Sequence, residues 1–361
     1  MTSSPQSSAL ASARLAARLG VEHAFIQAPM AGVSTPEMAA AVSNAGGLGS
    51  LGVGYLPPDA VRQLARRVRE LTDRPFALNL FAPQPAPALD ADSPMWGVLA
   101  RAHATLGLEP PRPSAWSLPP FDEQVDAVLE SDARVFSFTF GIPPASVLAR
   151  LRAAGRVLLG TATTVHEARL LEAAGVDGIV AQGSEAGGHR GTFAGPFEDA
   201  MVGTLALVPQ MVDAVGLPVV ASGGLMDGRG IAAARLLGAA GVQLGTAFLL
   251  CPESGASEAY QAALRSARED GTGVIRAFSG RPARGLVTDF SREVEASAAP
   301  LPFPLQHGAT TPLRAAAAAR GDARFLAMWA GQGVTLARRV PAGELTRALV
   351  ADAERRLRGG G

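Results

Sequence analysis

The sequence predicts an α/β fold: a (β/α)8 TIM barrel with a small inserted lid domain and C-terminal helices. Three observations predict it. A joint recurs, with residues 168–177 repeated at 234–243 and looser copies at 40–49 and 149–158. Each copy ends an amphipathic helix, offers a glycine suited to a left-handed cap, and starts a short apolar strand. Eight such strands alternate with helical patterns, which favours a barrel over an open doubly wound sheet, the alternative arrangement of the same units. Glycine-rich loops also follow the later strands, on the side where barrels place their ligands.

In order, the apolar runs predict strands at 25–28, 48–51, 76–80, 135–138, 157–160, 178–181, 219–222 and 242–245. Helical periodicity predicts helices at 35–45, 58–71, 121–129, 144–154, 165–174, 203–215 and 228–237. Residues 83–120, dense in proline and holding Trp96 and Trp116, read as a long loop on the active-site side. Residues 251–310 read as an excursion, with a helix at 257–268 and a strand at 273–278, folding over the barrel mouth as a lid. This division assigns 1–250 and 311–361 to the barrel and terminal helices, the latter expected at 312–320, 322–338 and 342–358. Residues 7–18, rich in Ala, Ser and Arg, suggest a surface helix, with a transit peptide as the alternative.

Composition narrows the chemistry. The 361 residues carry 32 basic and 32 acidic side chains, so net charge points to neither nucleic acid nor an anionic membrane. No apolar run approaches the ~20 residues needed to span a bilayer. The single cysteine, Cys251, excludes an internal disulfide and a multi-thiolate metal site and fits a reducing cytoplasm. Every basic residue is arginine, which closes Schiff-base and P-loop chemistry to this chain. The histidines do not pair at metal-ligand spacing, so no metal site is expected.

The organising stretch is Gly178 to Gly191, a buried strand running into a loop that holds Gly183, Gly187, Gly188, Gly191 and one histidine, His189. A glycine-rich surface loop with a solvated histidine is the alternative. The loops Ser222-Gly223-Gly224 and Gln243-Leu244-Gly245-Thr246 offer small residues, backbone N–H groups and a helix start, which suits a phosphate; tight turns needing glycine alone would read the same. Around them stand Met30, Asn79, Gln182 and Gln243. Carboxamides donate and accept at once, as a heteroaromatic ring edge requires, so phosphate and ring together describe a mononucleotide such as FMN. His189 is then the candidate acid/base at the mouth. His23 lies at the wrong end, His166 in a first helical turn, and His103 and His307 in irregular segments. Glu185 and Arg190 read as solvated charges and Asp227 as a helix cap.

Taken together, Gln27 to Met30, Ser43 to Gly49, Ala181 to Gly191, Ala221 to Gly224, Gln243 to Thr246 and Trp329-Ala330-Gly331-Gln332 resemble the nitronate monooxygenase family, formerly called 2-nitropropane dioxygenases. The resemblance runs over residues 24–355. It implies a TIM barrel binding FMN, with contacts from Asn79, Gln182, Gly187, Gly224 and Gln243 to Thr246; Met30, Gly188, Ser222, Gly223 and Gln332 complete the expected cofactor set. It implies that His189 is catalytic and that alkyl nitronates, with nitroalkanes as further candidates, react with O2 to carbonyl compounds and nitrite without pyridine nucleotide. The expected form is a cytoplasmic monomer or homodimer. Two features depart from the family pattern. Thr139 stands where the best-known branch has a second histidine, and the tyrosines and lysine of the 302–314 region are missing, Tyr55 and Tyr260 being the sole tyrosines. An FMN-dependent NADH:quinone or enoyl-thioester reductase, and a flavin-free phosphate-binding barrel, are the rival readings.

Overall fold

The computed structural model describes residues 5–297 and 299–359. Helix α1 (Pro5–Leu19) precedes β1 (Phe25–Gln27), α2 (Pro36–Asn44), β2 (Gly49–Gly52), α3 (Pro58–Leu71) and β3 (Phe76–Phe81). Helices α4 (Met95–Thr105) and α5 (Phe121–Glu130) come next, then β4 (Val135–Thr139), α6 (Ala145–Ala153), β5 (Val157–Ala162), α7 (Val165–Ala173) and β6 (Gly178–Gln182). A two-residue strand, β7 (Gly188–His189), interrupts the rhythm before α8 (Thr204–Ala214), β8 (Val219–Ser222), α9 (Gly228–Leu236) and β9 (Gly241–Leu244). The chain then makes α10 (Glu258–Arg265), β10 (Thr272–Ile275), β11 (Ala283–Leu286), α11 (Asp289–Ser297), α12 (Leu305–Arg320) and α13 (Ala342–Leu357). No described helix is long and apolar enough to cross a membrane.

Eight parallel strands form one sheet in the order β1-β9-β8-β6-β5-β4-β3-β2. Its ends meet: Gln27 N–H donates to Leu48 O at 3.0 Å and Leu48 N–H to Phe25 O at 2.8 Å, closing the ring into a TIM barrel. The two-residue period of a strand sorts side chains between the two faces. Phe76, Leu78 and Leu80 of β3, with Ile179 and Ala181 of β6, pack outward against the helices. Ala77, Val180 and Val220 fill the barrel interior with Leu15 and Leu19 of α1, which plug its base. Burying those two leucines stabilises by roughly 2 kcal/mol each. One step further along the inward face of β3, β6 and β9 come Asn79, Gln182 and Gln243, so the polar layer tops an apolar one by period alone.

Helix starts follow local chemistry. The hydroxyls of Thr35 and Thr164 accept from Met38 and Glu167 N–H, and the Asp227 carboxylate accepts from Arg229 N–H, as its sequence position predicts.

A second layer sits over the C-terminal rim. Strands β10, β11 and β7 make an antiparallel sheet with Ala283 opposite His189, so a barrel loop is stitched to the segment after β9. Beneath it, Leu264, Ile275, Phe278, Phe290 and Leu313 share a separate apolar core with Met95, Trp96 and Leu99 of α4.

Three expectations change. The proline-rich interval contains α4, because residues 95–105 are apolar and free of proline between the breakers. The helix expected at 322–338 is absent; short turns at Ala323–Phe325 and Val334–Leu336 flank an extended Trp329 that bridges Gly285. Gly331 and Gly333 break the helical pattern there, and a Cβ on Gly331 would stand 2.6 Å from Glu185 O. Third, β7 and β11 carry no strand-length apolar run and went unread.

Candidate active site

The C-terminal ends of the barrel strands open into a cavity of about 440 Å³. Met30, Asn79, Gln182, Gly187, Gly188, His189, Ser222, Gly223, Gly224 and the run Gln243 to Thr246 all line it. Gln332 does not. Its backbone N–H donates to Glu185 O at 3.0 Å and its side chain is exposed, while its neighbours Gly331 and Gly333 face the cavity.

Backbone, rather than side chain, makes the barrel-side rim. Gly223 and Gly224 take left-handed φ of 119° and 69°, open to glycine at little cost. A Cβ on Gly187 would lie 2.5 Å from Gly331 N, so this loop and the 331 segment touch main chain to main chain. The loop after β6 is pinned by charges read from sequence as solvated. Glu185 accepts from Thr204 N–H and Oγ1 at 2.9 Å each. Arg190 is buried to 1 % exposure and donates to Gly183, Gln182 and Ala200 carbonyls at 2.7, 3.2 and 3.1 Å. Burial holds its guanidinium down to about 10.

The carboxamides divide their work. Gln182 donates to His189 O at 2.9 Å and accepts from Gly191 N–H at 2.8 Å, clamping the loop on both sides of the histidine. Asn79 donates to Ser137 Oγ at 2.9 Å and keeps its oxygen free. Gln243, partly open to the cavity, makes no hydrogen bond through its carboxamide among the described residues.

His189 meets Ser279 Oγ through Nε2 at 2.9 Å, and its ring is walled by Phe140, Phe303 and Trp329 at centroid distances of 5.7, 6.2 and 5.4 Å. Burial, then the nearby Arg281 and Arg314 guanidinium groups, pushes its imidazole down to about 3, so it is uncharged at neutral pH. Tyr260 donates to Trp329 O and fixes that wall.

Several cavity residues were not singled out beforehand. Arg314 lines the space from α12 with no carboxylate within ion-pair distance among the described residues, where its Nε also lacks a partner. Tyr55 stacks on His307 at 4.1 Å with rings 7° apart, its hydroxyl buried without a hydrogen bond. Burial raises the Tyr55 phenol far above its ordinary value, against the pull of Arg314 and Arg281. His307, read as lying in an irregular segment, is in α12 and faces the cavity; burial, then Arg314 and His189, pushes it down to about 2. His103 is likewise helical, in α4, with ring nitrogens at 2.9 and 3.1 Å from Glu109 and Ala309 carbonyls. Only their spacing from Leu305 and Met95 into apolar helices could have shown this.

No aspartate or glutamate is among the residues lining the cavity, and no His/Cys/Asp/Glu cluster suited to a metal occurs among the described residues. Neutral amides, bare backbone and guanidinium groups suit anions and a hydrogen-bonding ring.

A family model described as nitronate monooxygenase matches residues 12–352. A nitronate monooxygenase of Pseudomonas aeruginosa is 49% identical over 92% of this chain and 96% of its own. The solved structure of a nitroalkane oxidase from Streptomyces ansochromogenes superposes with a TM-score of 0.89 at 45% identity, covering 95% of this chain and 99% of that one. FabK from Thermotoga maritima superposes with a TM-score of 0.74 at 30% identity, covering 96% and 98%.

Proposed function

The chain belongs to the nitronate monooxygenase family, and from that premise we propose that its flavin is FMN and that His189 is its catalytic base. Its activity is the flavin-dependent oxidation of nitronates, with O2 as the proposed co-substrate.

The observation that carries this reading is the composition of one cavity: glycine backbone, carboxamides and a neutral imidazole meet with no acidic group among its lining residues. A volume of about 440 Å³ suits a mononucleotide. Gly223, Gly224 and the Gly245-Thr246 turn would hold the phosphate. Asn79 Oδ1 and Gln243 would hydrogen-bond the flavin ring, while Gln182 would hold the loop beside it and Met30 would contribute apolar contact. Bound flavin supplies the electron acceptor for the substrate and the means of passing electrons to oxygen.

The chain's own groups then act on the substrate. Arg314 gives an anionic nitronate a counter-charge that no protein carboxylate competes for. A neutral nitroalkane must first lose its α-proton. The C–H pair moves onto the nitro oxygens as the proton passes to an imidazole nitrogen. Imidazolium and nitronate arise together as an ion pair, so the Arg314 cation that disfavours a lone imidazolium stabilises the anion formed beside it. Rings of Phe140, Phe303 and Trp329 exclude water from this pair.

The test is His189→Asn assayed on both substrate forms. Nitroalkane turnover should fall by about 10²–10⁴-fold while part of the nitronate turnover remains; equal losses would remove the base role. Heat-released cofactor should run as FMN on chromatography, and FAD would refute that assignment. The likeness to FabK keeps one second reading, an enoyl-thioester reductase, which rapid NADH consumption without nitronate activity would favour.

A further inference from the structure

A half-buried guanidinium behind His189 has no part in the chemistry described so far. Arg281 lies in the turn before β11, where Arg190 N–H donates to Pro282 O at 2.8 Å. Its Nη2 donates to Thr192 O at 2.5 Å and its Nε to Arg190 O at 3.4 Å, so it holds the carbonyls just past the histidine. No carboxylate lies within ion-pair distance of it among the described residues. Instead its guanidinium carbon stands 3.9 Å from the centre of the Phe140 ring, a close cation–π contact.

Phe140 is itself unusual. It is the one non-glycine among the described residues with a left-handed φ, 74°, a conformation costing a bulky residue about 1–3 kcal/mol. Gln84 Nε2 holds its carbonyl at 2.7 Å, and its ring stands at right angles to the His189 imidazole, at an interplanar 83°. A strained aromatic and a half-buried cation without a carboxylate partner are each unfavourable alone. Here they touch, and the strained ring is packed on the imidazole.

We propose that Arg281 is a positioning residue for His189, acting from two sides: through the Arg190 and Thr192 carbonyls and through the ring of Phe140. This rests on His189 being the base. The charged and titratable groups facing the imidazole are Arg281 from this turn, Arg314 and His307 from α12, and Tyr55 after β2, with Ser279 as its hydrogen-bond partner. Glu167 of α7, the acid whose charge acts on Arg281, is engaged by Phe193 and Ala194 N–H at 2.5 and 3.0 Å. Arg281 therefore fixes the aim of the ring and contributes to the cationic field that keeps a nitrogen lone pair available.

The experiment measures holoenzyme carrying Arg281→Met or Arg281→Lys, each with His189 intact and with His189→Asn. Arg281→Met should lower nitroalkane turnover ~10-fold or more, leave nitronate turnover within ~3-fold, and be partly rescued by lysine. With His189→Asn present, Arg281→Met should change either rate by less than ~2-fold, because coupled positions are non-additive. Histidine ring ¹⁵N signals give a readout independent of turnover: the His189 signal, identified by its loss in His189→Asn, should shift in Arg281→Met and titrate at higher pH. Equal losses in both backgrounds, or an unmoved His189 signal, would overturn the proposal. Phe140→Leu carries the same comparison should Arg281→Met fail to fold. If His189→Asn alone costs both substrates equally, the base assignment fails while the coupling between the positions is still measured.

Discussion

On the barrel side of the cavity, the loops after β6, β8 and β9 present glycine backbone and carboxamides set by strand register. On the facing side, the Phe278-Ser279 turn, α12 and the Trp329 segment present rings and a guanidinium drawn from distant parts of the chain. In the first surface Gly187 and Gly331 meet main chain to main chain, leaving no room for a side chain at those two positions. The second is made of side-chain ends, each replaceable without moving a strand. In the proposed reading the first surface holds the flavin and the second selects the substrate.

Gly187→Ala should show the largest effect, since the added methyl meets backbone at 2.5 Å and the loop cannot yield without parting from Gly331. Near-complete loss of the yellow cofactor is expected, with destabilisation of about 3 kcal/mol; a yellow, stable variant would break the contrast. Arg314→Met should leave flavin absorbance intact and raise KM for nitronates by about 10–100-fold, the size of a hydrogen bond to a charged group. Cofactor loss in that variant would show that the two sides are not separable.

Acid should act through the facing side. His189 and His307 are held near 3 and 2, below their unfolded value of about 6.5. Between these limits the unfolded chain binds protons the folded one does not, so stability falls as pH drops below about 6.5, by at most about 1.4 kcal/mol per pH unit for each histidine. Thermal melts from pH 8 to 5 would measure this, and a flat profile would sink it. His307→Phe, which keeps the stack on Tyr55, should have the smallest effect, halving that acid slope with little change in turnover at pH 8.

What the sequence disclosed follows the same division. The barrel was legible because repeats and two-residue periods are local, and the joint at 168–177 declares a helix, a cap and a strand by itself. Asn79, Gln182, Gln243 and the glycine loops were legible because their ordinal place in a barrel puts them on its rim. Arg314, Tyr55 and His307 were not, because their meeting depends on how α12 docks across the mouth, which no local pattern encodes. Arg190 misled for a related reason: a charge in a loop reads as solvated unless its carbonyl partners, as distant as Ala200, are in view. Trp329 was marked by its motif, but the helix drawn through it ignored the pull of Gly285 across a forming bridge.

The pairing of Ala283 with His189 makes one residue a member of two architectures. A lineage that remodels the Phe278-Ser279 turn leading into β11 to admit a bulkier molecule also re-aims the imidazole, because the turn and His189 hang on the same ladder. Appetite and reactivity are thus inherited together in this enzyme, and a swap of residues 272–286 from a relative would transplant both at once.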